Sequence, residues 1–347
     1  MFLHDNESPH ARPASTQRLN DSFGRAISYL RLSVTDRCNF RCVYCMAEKM
    51  TFLPHAEVLR LEELDRLCSI FVGLGVKKIR LTGGEPLVRR GVMTLFQSLA
   101  RRLRAGELEE ATLTTNGSQL SRFADELAAC GVRRVNVSLD TLDSADFASI
   151  SRHGTVSGVL AGIDAADRAG LKVKINAVAQ RGLTENCAVP LVRWAHARGY
   201  DLTFIELMPL GDVVGAWSGR FMPLSELRAS LSEQLTLLPT PYRSGGPARY
   251  WRIDETGGRV GFITPMTHSF CESCNRVRVT CSGRMYLCLG QDAAVDLGEL
   301  LRASQDDGVV AAAIRAAVAA KPKGHSFGAP ESGARRKAPR SISVTGG

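Results

Sequence analysis

The chain has 347 residues, 44% of them apolar and 23% charged, ordinary values for a globular protein with room for a large core. No apolar run reaches the roughly 18 residues that a membrane span needs. The first 25 residues lack the apolar centre of a secretory signal, so a cytoplasmic protein without membrane attachment is expected. The net charge of +9 points to an anionic partner or simply to solubility. Ten cysteines in a reducing compartment point to metal or catalysis rather than disulfides.

Residues 1–25 read as a polar, flexible leader. Strand–helix repeats follow over 26–215. Apolar runs predict strands at 28–34, 77–82, 111–114, 134–139, 172–178 and 202–207. Helical periodicity fits 61–75, 92–104, 119–130, 156–169 and 188–199. Six βα units predict a parallel sheet with right-handed crossovers. Six units suit an incomplete TIM-type barrel, an α/β fold short of the eight-unit closed form.

Residues 216–327 change rhythm and read as an α+β extension. A helix is expected near 223–235 and strands at 248–254, 259–264, 276–281 and 284–289, the last two forming a hairpin over "SG". Two further helices are expected at 296–304 and 308–320. Residues 328–340 are rich in Gly, Ala, Pro and base and read as a linker, so that 328–347 forms a flexible tail ending in Gly346-Gly347.

Chemistry in such a sheet gathers at the carboxyl ends of the strands. The first of these ends opens "CNFRCVYC", which places Cys38, Cys42 and Cys45 within eight residues. Zinc closes its shell with four ligands. Three thiolates on one loop suit a four-iron cluster with one iron left open. The alternative is three buried or zinc-bound thiols. The spacing C-x₃-C-x₂-C with Tyr44 before the last cysteine resembles the radical S-adenosylmethionine superfamily. "TGGEP" at 82–86 resembles that superfamily's loop for the methionine amino group.

A second triplet, Cys271, Cys274 and Cys288, lies in "CESCNRVRVTCSGRMYLC" and by the same count could hold a second cluster. Cys281 is either a fourth ligand or a small buried hydrophobe. Between these cysteines Arg276 and Arg278 alternate on one strand and so share a face. Arg31, Lys78, Arg80 and Lys174 add charge to strands that are normally apolar, with Arg31 and Arg80 expected to face the barrel interior. Guanidinium forks match phosphate oxygens, so a polyanion between two clusters would account for the set.

Together these stretches, with "LTTNG", "VNVSLDTLD", "FIELMPLGD", "KPKGHSF" and the terminal diglycine, resemble the GTP 3′,8-cyclase family of molybdenum-cofactor biosynthesis from about residue 21 to the end. The resemblance implies a lyase that carries two [4Fe–4S] clusters and uses S-adenosylmethionine. A deoxyadenosyl radical would take the 3′ hydrogen of GTP, and the ribose would close on C8 of guanine. The product, (8S)-3′,8-cyclo-7,8-dihydroguanosine 5′-triphosphate, would pass to cyclic pyranopterin monophosphate synthase. The resemblance further implies metal ligation by Cys38, Cys42, Cys45, Cys271, Cys274 and Cys288. It implies S-adenosylmethionine contacts at Tyr44, Gly84, Ser138 and Met208. GTP contacts are implied at Arg31, Arg80, Thr114 (or its neighbour Thr115), Lys174, Arg276 and Arg278. It places Gly346 and Gly347 with the Cys38 triplet among the catalytic residues. A flavodoxin-type reductant and a monomer or homodimer are expected. This tail departs from the family pattern at Ile342 and Thr345, as Cys281 does within the second motif.

Two other readings are a peptide-modifying radical enzyme with an auxiliary cluster and a basic zinc module for nucleic acid. The first would usually need more downstream cysteines and would not explain "NRVRV". The second is disfavoured because the basic residues spread over strands and aromatics are only 6% of the chain.

Overall fold

The structure is a computed structural model that describes residues 18–211, 217, 219–325, 327 and 342–345. Six parallel strands run side by side in chain order: β1 (Tyr29–Ser33), β2 (Lys78–Thr82), β3 (Glu110–Thr115), β4 (Arg134–Ser138), β5 (Lys172–Ala179) and β6 (Asp201–Glu206). The connecting helices are α1 (Leu61–Gly73), α2 (Val92–Arg104), α3 (Leu120–Ala129), α4 (Ser144–Ser151), α5 (Val156–Arg168) and α6 (Thr184–Ala197). The α/β partial barrel expected from the sequence is present.

Alternation sorts the strand side chains. Leu30, Leu32, Ile79, Leu81, Val135, Val137 and Ile175 are fully buried in the main core. Their neighbours Arg31, Arg80, Thr114, Ser138 and Lys174 line a cavity on the opposite face.

The extension completes this sheet at both edges. Its elements are α7 (Leu224–Ser232), β7 (Leu237–Pro239), β8 (Arg249–Ile253), β9 (Arg259–Ile263), β10 (Arg276–Val279), β11 (Arg284–Tyr286), β12 (Ala294–Asp296), α8 (Leu297–Ala303) and α9 (Asp307–Ala319). β10 pairs parallel with β1, and β9 pairs parallel with β6. The twelve-stranded sheet therefore runs β12-β11-β10-β1-β2-β3-β4-β5-β6-β9-β8-β7. The predicted hairpin is β10–β11, turning at Gly283 with φ +88°.

Sequence reasoning missed α4, β7 and β12. It also started α6 late, since that helix begins at Thr184 and runs through Pro190. The end of the leader differs most. Residues 18–25, expected to be flexible, are packed. Leu19 and Asp21 are buried, and Asn20 bridges Ala26. Arg25 is held by Asp21 and donates to the carbonyls of Cys271 (2.7 Å), Pro322 (2.6 Å) and Lys323 (2.8 Å). A short helix, α10 (Ile342–Thr345), returns the tail to the cavity, where Ile342 forms part of the lining. Gly346 and Gly347 lie outside the described residues.

Candidate active site

The first triplet follows β1. Backbone hydrogen bonds tie the start of its loop to the turn after β2. Gly84 N–H donates to Thr35 C=O and Glu85 N–H to Arg37 C=O, each at 2.9 Å. A methyl group on Gly84 would lie 2.3 Å from the Arg37 carbonyl oxygen, and one on Gly83 (φ +145°) 2.4 Å from that of Thr35. Glycine here admits the neighbouring cysteine loop as well as lining the cavity. Gly84→Ala is expected to cost about 1–3 kcal/mol, as overpacking does, and to reduce iron retained per chain. Melting and iron analysis check this; an unchanged result in both contradicts it.

Glu85 is buried beneath that loop. It accepts hydrogen bonds from Leu87 N–H (3.0 Å), Thr115 O–H (2.9 Å) and Asn116 N–H (2.7 Å). Burial raises its carboxyl to about 7 against those hydrogen bonds. The Thr115 hydroxyl is thereby engaged by Glu85, though Thr115 also lines the cavity. Thr114 instead presents its hydroxyl to Arg80, at 3.5 Å. Asn116, which sequence reasoning quoted only within "LTTNG", turns its amide to the Cys38 sulfur (3.8 Å) and to Asn39 (2.9 Å).

Cys38, Cys42, Tyr44 and Cys45 line one end of the cavity, together with Gly84, Ser138 and Met208. The Tyr44 hydroxyl donates to Asp140 (2.9 Å), whose other oxygen accepts Val178 N–H (2.8 Å). Tyr44 thus presents its ring rather than its oxygen. Burial raises the thiols, Cys38 to about 11 and Cys45 to about 12. The Ser343 main-chain N–H, in the returning tail, opposes this at Cys45. Thiols of this kind ionise when a metal displaces the proton.

The opposite end is basic. Arg278, Arg31 and Arg80 are register partners on the adjacent strands β10, β1 and β2. They form one row, and Lys174 and Arg276 also line the cavity. Arg31 is 7% exposed and Lys174 8% exposed. Burial first, then Arg278, holds the Arg31 guanidinium well below its ordinary value. Burial first, then Arg276, brings Arg278 to about 10. Burial, then Arg134 and Arg80, brings Lys174 to about 7. Its ammonium donates to the Tyr250 hydroxyl (2.5 Å), which donates to Ser244 (3.0 Å).

Ser244–Gly245–Gly246 and Arg134 also reach this wall. Sequence reasoning missed them. The "SGG" run looks like a turn, and Arg134 looks like a solvated strand start.

Phe270 and Leu289, which flank the second triplet, line the cavity, but Cys271, Cys274 and Cys288 themselves are not among its lining residues. Cys271, Cys274 and Cys288 are each partly exposed. The His325 hydrogen bond lowers the Cys271 thiol. Burial raises the Cys274 thiol, but Arg276, Lys321 and Arg278 outweigh it and leave that thiol lowered. Burial raises the Cys288 thiol. Cys281 stands apart. It is fully buried beside Asp36, Arg89 and Ser33, with its thiol raised to about 11 by that burial. Cys68, Cys130 and Cys187 are buried as well.

Each triplet supplies three soft thiols and no fourth cysteine, the donor set of an iron–sulfur cluster with an open iron. Among the described residues, no set of three His, Cys, Asp or Glu side chains closes on a single ion. No helix among the described residues is long and apolar enough to cross a membrane.

Comparison with known proteins agrees with this chemistry. Residues 32–195 match the family model described as the Radical SAM superfamily, and residues 200–327 match that for Molybdenum Cofactor Synthesis C. A GTP 3′,8-cyclase of Brucella canis is 58% identical over 332 residues, covering 96% of each chain. One from Rhodopseudomonas palustris is 59% identical over 336 residues, 96% of this chain and 98% of that one. One from Rhizobium etli is 58% identical over 342 residues, 99% and 97% of the two chains.

Among solved structures, Streptococcus suis SuiB bound to the precursor peptide SuiA superposes with TM-score 0.61 at 14% identity, over 88% of this chain and 73% of that one. SuiB bound to S-adenosylmethionine gives TM-score 0.58 at 15% identity, over 86% and 73%. Those two share the fold, whereas identity near 58% from end to end decides the family. The chain belongs to the GTP 3′,8-cyclase family of radical S-adenosylmethionine enzymes.

Proposed function

We propose that the cavity lined by the first triplet, and by Phe270 and Leu289 beside the second, is where this chain closes the ribose of GTP onto its own guanine. The observation that carries the residue assignment is the placement of one cavity. It has the Cys38, Cys42 and Cys45 thiols at one end and the row Arg278, Arg31 and Arg80 at the other. A cluster on the first triplet, when bound, supplies the electron that converts S-adenosylmethionine into a hydrogen-abstracting radical.

The chain's own residues bind and orient. Gly84 and Ser138 offer backbone and hydroxyl at the S-adenosylmethionine end, while the Tyr44 ring and Met208 pack it. The guanidiniums of Arg31, Arg80, Arg276 and Arg278, with Lys174 and the Thr114 hydroxyl, hold the triphosphate and ribose. Burial of these cations makes their pairing with phosphate stronger than it would be in water. Cys271, Cys274 and Cys288 would hold the second cluster, whose open iron suits the guanine edge. α10 puts Ile342 in the cavity wall a few residues before Gly346 and Gly347, and a catalytic role for those two glycines is part of this reading. A flavodoxin-type reductant and hand-over of the product to cyclic pyranopterin monophosphate synthase complete the reading.

GTP deuterated at C3′ tests it. Deuterium is expected in the 5′-deoxyadenosine formed, and its absence would overturn the assignment of the abstracted hydrogen.

A second expectation concerns pH. Triphosphate selects charged Lys174, and its ammonium is half ionised near pH 7 in the ligand-free protein. GTP affinity should therefore fall between pH 7 and 9, by up to about tenfold per unit. Lys174→Arg keeps its charge and should flatten that slope, as calorimetric titration would show. The ligand-free protein should behave oppositely. Between pH 7 and the ordinary 10.5 the folded chain binds fewer protons than the unfolded one at this residue, so its stability rises with pH there.

A further inference from the structure

We infer that the outer side of the Cys38 loop is a docking surface for an acidic protein that donates one electron at a time. This rests on the reading that Cys38, Cys42 and Cys45 hold a reducible cluster, and it places the reductant of that reading on the molecule.

The loop has two sides. Cys38, Cys42 and Cys45 line the substrate cavity. Arg37, one residue before Cys38, lines a separate surface depression with His55, Val88, Arg89 and Arg90. Arg37, His55 and Arg90 are exposed. The basic surface continues along the loop. The Arg37 and Arg41 guanidiniums lie 5.9 Å and 5.3 Å from the centroid of the Phe52 ring. Arg152, also exposed, donates to the Arg41 carbonyl at 3.3 Å.

These side chains spend their hydrogen bonds on main-chain carbonyls. Arg41 donates to those of Cys38 (2.6 Å) and Phe40 (2.8 Å), and Arg89 to those of Val34 (3.3 Å) and Leu59 (2.9 Å). Among the described residues, none of Arg37, Arg41, Arg89, Arg90 and Arg152 is within ion-pair distance of a carboxylate. Asp36 lines the same depression but is buried and accepts Leu53 N–H at 2.6 Å. Val88 leaves an apolar side chain 36% exposed among these charges. An apolar contact with a charged rim is how protein interfaces are built, and the sign of this rim selects an acidic partner.

The position selects a redox partner. The reactants fill the cavity side of the loop, so an electron for the first triplet enters from the outer side. Arg41 touches the carbonyl of a ligand cysteine, which puts a protein seated on it one hydrogen bond from the ligand set. Complementary charge speeds encounter and fixes orientation. A small polar interface keeps the complex short-lived, as in other electron-transfer pairs. One electron leaves the donor's reduced centre and enters the oxidised cluster. The donor is left oxidised by one electron, and no bond forms or breaks.

The test uses the reconstituted full chain and a recombinant acidic flavodoxin. Arg37→Glu with Arg90→Glu should weaken flavodoxin binding at least about tenfold in calorimetric titration at about 0.05 M salt. Salt at about 0.5 M should remove most of the difference. Arg104→Glu with Arg168→Glu makes the same change in net charge at the last turns of α2 and α5, the end of the barrel away from the cysteine loop. That pair should bind within about threefold of wild type. Electron paramagnetic resonance of the reduced cluster should show reduction by flavodoxin hydroquinone slowed in the first pair alone, and reduction by dithionite alike in all three proteins. Wild-type protein that does not bind flavodoxin, unchanged binding in the first pair, or equal weakening in both pairs overturns the inference. Wild-type protein that shows no reduced cluster with dithionite overturns instead the cluster reading beneath it. Iron is counted per chain throughout. Where the change at Arg37 costs iron, His55→Glu with Arg90→Glu takes its place, with the same expected and overturning results.

Discussion

Replacing Arg278 by methionine is expected to weaken GTP binding about a hundredfold while leaving the ligand-free protein as stable as before, or more stable. The reason is the register of three strands. Arg278, Arg31 and Arg80 lie side by side on β10, β1 and β2, with Arg31 buried. Burial and mutual repulsion both work against their charge. Holding such cations in place disfavours the empty fold, and a polyphosphate reverses the sign. Two charge-assisted hydrogen bonds at about 1.5 kcal/mol each amount to roughly a hundredfold in affinity. Methionine keeps the length and apolar stem of arginine without its charge.

Calorimetric titration with GTP and melting curves with and without it measure both halves. Bound ligand at a hundred times its Kd stabilises by about 2.7 kcal/mol, so the wild-type melting shift should be plain and the variant's small. Iron must be counted alongside, because Arg278 is also close to Cys274 and Cys288. A variant that melts several degrees lower and binds GTP normally would contradict the account.

Cys45→Ser is expected to abolish 5′-deoxyadenosine formation and to remove about half of the iron, while GTP affinity stays within about threefold of wild type. Cys274→Ala should also remove about half of the iron but should weaken GTP binding. The contrast follows from position. Cys45 lies at the end of the cavity with Tyr44, Ser138 and Met208, and Cys274 lies beside Arg276 and Arg278. Equal effects of both substitutions on GTP affinity would mean that the two ends are not functionally distinct.

Much of this arrangement was legible in the chain. β1 to β6 follow apolar runs because a parallel sheet covered by helices buries its strands on both faces. The cysteine loops follow from thiol counting, and Arg276 and Arg278 share a face because strand side chains alternate. α4 escaped because its eight residues bury little beyond Phe147 and Ile150 and carry no sustained stripe. Its start is set by the Asp143 cap on Ala145 and Asp146. β7 and β12, three residues each, are too short for alternation to register.

Long-range pairing was the larger omission. Nothing local in "RVRV" announces that it joins β1 some 245 residues earlier, yet that pairing puts Arg278 beside Arg31. Residues 18–25 look like any polar leader until Arg25 is seen to grip the Cys271 loop. Both Thr114 and Thr115 line the cavity, and what the sequence did not show is that buried Glu85 accepts from the Thr115 hydroxyl while Thr114 meets Arg80.

The central claim is that two triplets hold two clusters around one GTP site. Iron and sulfide should be counted after anaerobic reconstitution, and 5′-deoxyadenosine then measured with dithionite and S-adenosylmethionine, with and without GTP. About eight irons per chain, as two four-iron clusters require, and deoxyadenosine formed only with GTP are the predicted results. About four irons, or deoxyadenosine release indifferent to GTP, would contradict it.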